Sequence, residues 1–164
     1  MQNHKMDESM DPDNSSGHYR MLGVNMAINL AIMYLVMFAM IWSWGEFFQN
    51  LNFFYMALMM WAPMGVIMLL TMGKMYRNQR LNMILYAAFG LIFVISMIGI
   101  RDQSLVGNRQ FLRSMIPHHS GAITMCERAS IDNPEIRNIC FSPNGIVESQ
   151  KREIAQMEAL LRQN

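Results

Sequence analysis

The chain has 164 residues and a formal net charge of +1; 52% of it is hydrophobic, 15% is charged, and 20 methionines stand against two cysteines and four histidines. That length holds one modest domain, or a small domain with a few membrane spans. The balance excludes a disordered acidic or basic tail protein, a disulfide scaffold and a nucleic-acid binder with a basic face.

Residues 1–20 are polar and rich in turn formers, which predicts a flexible tail. His4, Met6, Met10 and His18 form a loose metal-scavenging tract there, without the spacing of a fixed site, and a solvated tail is the favoured reading. The first apolar run starts too late, is too long and lacks a small-residue cleavage site, so it is expected to be retained rather than removed as a secretory signal.

Residues 21–44, 53–73 and 81–100 carry no charge. Each meets the length of about 20 apolar residues that a membrane helix requires. The rest of the chain could not cover three such helices in a soluble core, so residues 21–100 are predicted to be a three-helix membrane domain. The second connection, KMYRNQR, holds Lys74, Arg77 and Arg80, whereas the first holds Glu46 and no cation. Short basic loops stay cytoplasmic. The expected placement is therefore a bacterial inner (cytoplasmic) membrane, crossed several times, with the amino terminus cytoplasmic and residues 101–164 extracytoplasmic, in the periplasm. Met56, Met60, Met64, Met68 and Met72 form an i, i+4 ladder in the second span, with Met26, Met33, Met37 and Met40 in the first. Packing is favoured over a copper relay, because thioethers adapt to irregular helix contacts. Asn25 and Asn29 are expected to bond between helices.

Residues 101–164 change to mixed charge and helical periodicity. Asn108 is expected to cap a helix from about Arg109 to Ala129; Pro134 opens a short second helix ending near Phe141; Ser142-Pro143-Asn144-Gly145 breaks the chain; and a last helix runs from Ile146 to about Arg162. The expected result is a small antiparallel hairpin or bundle whose thin core needs added support.

The chemistry lies in the first of these helices. At 100° per residue, Met115, His118, His119, Ala122, Met125 and Cys126 fall within about 120° of arc. Met157, on the apolar stripe of the last helix, would meet that face across the hairpin. Thioethers with neutral imidazoles are soft ligands that favour Cu(I) or Ag(I), whereas zinc would draw on cysteine, histidine and carboxylates. Core packing is the competing reading, and from spacing alone the two stand about even. Pro117 would displace Met115 if the helix began there. Gly121 and Ala122 would let a partner helix approach closely.

The string Met115-Ile-Pro117-His118-His119-x-x-Ala122-x-x-Met125, followed by Gln150-x-x-Glu153-Ile154-x-x-Met157, resembles the domain-of-unknown-function family three hundred and five over residues 108–162. The resemblance implies a ferritin-like helical bundle, an extracytoplasmic copper-binding role linked to copper resistance, and Met115, His118, His119, Met125 and Met157 as metal ligands. It leaves the three spans outside the family. Gln150 and Glu153 are then expected at the surface, or hydrogen-bonding behind the ligands. Cys126 stands where the family usually has a small apolar residue. It either pairs with Cys140 in an oxidising compartment or joins the metal as a thiolate, and a separation of 14 residues does not decide which.

The expected molecule is thus all-α: three transmembrane helices followed by a small ferritin-like hairpin or bundle. Its expected function is sequestration or handover of copper, chiefly Cu(I), with Ag(I) as a substitute. It is expected not to be an enzyme, since Glu-x-x-His pairs, nucleophile–base patterns and phosphate-binding loops are absent. The expected partners are the metal ion, the lipid bilayer, and a homo-oligomer or copper-handling proteins, with no nucleic acid. The alternative is an accessory subunit of a membrane complex, with the His–Met helix used for packing.

Overall fold

A computed structural model describes residues 15–163, and among them it is helical with no strand. The tail residues His4, Met6 and Met10 lie outside the described residues. Six helices follow in order: α1 (Ser15–Val36), α2 (Leu51–Thr71), α3 (Gln79–Arg101), α4 (Asn108–Arg128), α5 (Pro134–Phe141) and α6 (Ile146–Gln163), with a 3-10 turn at Trp44–Glu46 between α1 and α2.

Asparagine opens α2, α3 and α5. Asn50, Asn78 and Asn133 each stand in extended backbone and accept from amides of the first turn, groups that would otherwise lack partners. At α4 the expectation is corrected: Gly107 is the cap residue, with no side-chain bond, and Asn108 is already helical.

The first three helices are long and apolar enough to cross a membrane. Ile28, Ile32, Ile67, Leu70, Ile84 and Leu91 all point outward. A bilayer covers such faces, and helices satisfy their own backbone there. Where the three helices do meet, small residues set the distance. Gly65 lies directly against the Phe89 ring, and Gly99 faces Tyr55 so closely that an added Cβ would stand 3.1 Å from the ring. Trp61 Nε1 donates to the Met26 carbonyl at 2.6 Å, and the Tyr19 hydroxyl donates to Asn82 Oδ1 at 2.7 Å. The same Tyr19 oxygen accepts from Asn78 N–H at 3.2 Å, so Tyr19 joins the start of α1 to α3 and to the α2–α3 connection. Pro63 sits inside a continuous α2. Neither the Asn25 nor the Asn29 side chain makes a hydrogen bond among the described residues, contrary to expectation; Asn25 is exposed and Asn29 half-buried.

The first apolar run does not stay helical throughout. α1 starts six residues before Met21 and stops at Val36, and residues 37–43 turn back. Phe38 anchors that turn, with its ring 4.1 Å from Phe47 and 4.9 Å from Phe53. Phe38 is buried, whereas Met40 and Trp42 stay about half exposed, so the segment is packed only in part and does not continue the helix.

In the carboxy-terminal domain α4 and α6 pack as a hairpin, with α5 against α6. Ile116, Ile123, Cys126, Cys140, Val147, Ile154 and Met157 form its core. Gly145 makes the α5–α6 turn possible, since a Cβ there would stand 2.7 Å from the Ile139 carbonyl oxygen.

The two domains meet along α4. The Glu46 carboxylate is buried and accepts from the Ser120 hydroxyl and, at 3.3 Å, from Ser43 N–H. Trp42 Nε1 donates to Glu127 at 2.7 Å, and Lys151 lies 3.4 Å from the same carboxylate and 4.8 Å from the Trp42 ring centre. Leu51 N–H donates to Gln110 at 3.2 Å. Gly121 is buried against Met40, so its small size admits the α1–α2 connection, not α6 as expected. The α1–α2 connection and the carboxy-terminal domain therefore share one end of the three-helix unit, opposite Lys74, Arg77 and Arg80.

Candidate metal centre

α4 runs unbroken through Pro117, so Met115 keeps the register of the ligand face. Its flanks have three environments. Ser114, Pro117, Ser120 and Gly121 are buried, the last two against the α1–α2 connection. Ile116, Ile123 and Cys126 enter the core shared with α6. Beside them runs a strip along Phe111, Met115, His118, Ala122 and Met125, spaced four, three, four and three residues apart, open at Phe111, His118 and Met125 and half-buried at Met115 and Ala122.

The sequence-predicted ligands divide between these environments. Met115 is half-buried against the core, His118 is exposed, and Met125 is 54% exposed. Met157 lies inside the core at 9% exposure. Met115, His118 and His119, at i, i+3 and i+4, share one helical turn, and the two imidazole centres are 6.1 Å apart. Met125 stands two turns beyond His118, about 10 Å along the axis. The five residues therefore do not form one closed shell. A three-residue cluster lies on one turn, with a thioether behind it in the core and another farther along the strip.

Cys126 is corrected as a ligand. It is disulfide-bonded to Cys140, with Cα atoms 5.6 Å apart, so it offers no thiolate. Among the described residues no three His, Cys, Asp or Glu side chains gather. Any centre here depends on thioethers, and a zinc-type donor set is not assembled.

His119 has a defined setting. Its side chain is 14% exposed, and Nδ1 lies 2.9 Å from Glu153 Oε2, without the alignment of a full hydrogen bond. Burial lowers its pKa from the usual 6.5, the Glu153 carboxylate pulls upward, and neighbouring His118 lowers it again; burial prevails. The ring is held neutral, the form that binds metal. Glu153 thus stands behind a histidine, where a carboxylate orients an imidazole ligand.

Sequence reasoning missed Trp42, Glu46, Ser120 and Glu127 as the groups that fix α4. A signal was present: Ser43-x-x-Glu46 has the spacing of a capping box, and both of its bonds form.

A family model described as "Domain of unknown function (DUF305)" matches residues 71–161. The chain belongs to this family. The match begins before α3, so the family's shared region takes in a membrane helix and is wider than residues 108–162 implied. An uncharacterized protein of Acanthamoeba polyphaga mimivirus is 32% identical over 121 residues, covering 73% of this chain and 76% of the viral one. That stretch is longer than the carboxy-terminal domain, so it also takes in membrane helices. No solved structure matches the chain.

Proposed function

We propose that the chain is a membrane-anchored protein that binds Cu(I), or Ag(I) in its place, to sequester it or hand it on, without catalysing a reaction. The observation that carries this reading is the single turn of α4 holding Met115, His118 and His119, with His119 kept neutral and backed by Glu153. Met125 supports it, since a methionine 54% exposed is not filling a core. Soft thioethers with neutral imidazole suit Cu(I). We place the carboxy-terminal domain on the extracytoplasmic side of a bacterial inner membrane. The disulfide supports an oxidising side, and the basic α2–α3 connection at the opposite end supports a cytoplasmic one.

Equilibrium dialysis of the full chain with Cu(I) tests this. Ascorbate should keep the copper reduced, because a thiol would attack the disulfide. Replacing His118 and Met125 together by Ala is expected to weaken binding by at least about tenfold. Unchanged stoichiometry and affinity would overturn the assignment. The burial of Met157 among Ile154 and Ile123 favours a second reading, an accessory subunit whose methionines only pack. A metal-free chain purified in a stable complex would support that reading.

A further inference from the structure

A cavity of 570 Å³ opens between α1, α2 and the beginning of α4. That size suits a small-molecule ligand. Its two ends differ in chemistry. Ala27, Leu30, Ala31 and Phe54 form an apolar wall on two membrane-length helices, while Tyr34, Gln110 and Arg113 line the end nearest the carboxy-terminal domain.

That polar end has donors to spare. Tyr34 Oη accepts from Asn50 N–H at 3.1 Å, and its own proton has no acceptor among the described residues. The Gln110 oxygen is occupied by Leu51 N–H at 3.2 Å, which fixes the amide and leaves its NH2 group as a donor. Arg113 forms no ion pair with any described residue. Glu158, which lines an adjoining cavity with Arg113, lies 3.9 Å from Arg162 instead. No residue lining the 570 Å³ cavity is acidic.

We propose that this groove seats one anionic phospholipid. The phosphate meets Arg113, Tyr34 and Gln110, and an acyl chain lies along Ala27, Leu30, Ala31 and Phe54. A free anion would leave the apolar wall uncovered at membrane depth. A zwitterionic headgroup would bring a cation to an end that has a cation and no carboxylate. A single Arg close to the headgroups attracts an anionic lipid by about 1 kcal/mol, or about fivefold. The inference rests on α1 and α2 crossing the membrane, and it is independent of copper.

Native mass spectrometry of the full chain in detergent, titrated with phosphatidylglycerol or phosphatidylcholine of matched chains, tests it. The expected result is one retained phosphatidylglycerol, preferred by about fivefold, the effect of one cation near the headgroup. Arg113→Gln should abolish the preference, Arg113→Lys should keep it, and Ala31→Leu should weaken retention by narrowing the wall. Circular dichroism confirms that each variant remains helical. Equal retention of the two lipids, or an unchanged preference in Arg113→Gln, would overturn the proposal. Loss of preference in Arg101→Gln, an exposed residue that does not line the groove, would show diffuse charge attraction and overturn it too. Displacement of the lipid by inorganic phosphate would reassign the polar end to a free anion and likewise overturn it.

Discussion

His119 is subject to opposed influences: burial and His118 lower its pKa, and Glu153 raises it. The net lowering fixes the sign of a pH effect. The unfolded chain takes up the proton near 6.5, but the folded chain resists until a lower pH. Stability from this group is therefore intact above the unfolded value and falls as pH drops from 6.5 towards the lowered folded value. Glu153→Gln removes the upward pull and should move the His119 titration lower still. NMR titration of the imidazole checks this, and an upward or null shift would contradict it. At this scale the sequence was informative about which side chains share a helical turn and poor about their partners. The Met–His spacing identified the α4 turn, and Glu153 was expected at the surface or behind the ligands. That Glu153 meets His119 depends on how α4 slides against α6, which no local pattern encodes. Cys126 was undecided because chain separation says nothing of where α5 returns Cys140.

Between α3 and α4 the backbone is strained. Gln103 and Leu105 have φ of 50° and 63°, a left-handed region costly for side chains other than glycine. The turn is fixed from α2: the Tyr55 hydroxyl donates to the Ser104 carbonyl at 3.0 Å, and Asn52 Nδ2 donates to Gln103 Oε1 at 3.0 Å. Leu105 is 83% exposed and buries little there. Leu105→Gly should therefore stabilise the protein by about 0.5–1 kcal/mol, the strain relieved outweighing the added freedom of the unfolded chain. Thermal unfolding in detergent reads the change, and a lowered midpoint would refute it. Spans were legible as elements because twenty uncharged residues have few other uses. Their ends were not. Hydrophobicity marks residues 37–43 as apolar, but it does not distinguish a continued span from a turn anchored by the aromatic cluster around Phe38.

For the molecule as a whole, one link closes the small domain beside its apolar core and another fastens it to the α1–α2 connection. The Cys126–Cys140 bond ties α4 to α5 around a loop of about 15 residues. Closing a loop of that length contributes about 3 kcal/mol in the chain-entropy view. Cys140→Ser should accordingly lower the stability of the carboxy-terminal domain by about 2–4 kcal/mol while leaving the three apolar helices folded. Protease cleavage confined to residues 129–145 is the expected signature, and an unchanged cleavage pattern would count against it. The second link is the contact of Trp42 and Glu46 with Ser120 and Glu127. With the strained α3–α4 turn it secures α4 at both ends. That makes the domain a fixed quay instead of a boat on a line. Held in this way, the strip stays beside the membrane-length helices, so under the proposed copper role a partner that gives or takes the ion has to berth at the membrane surface.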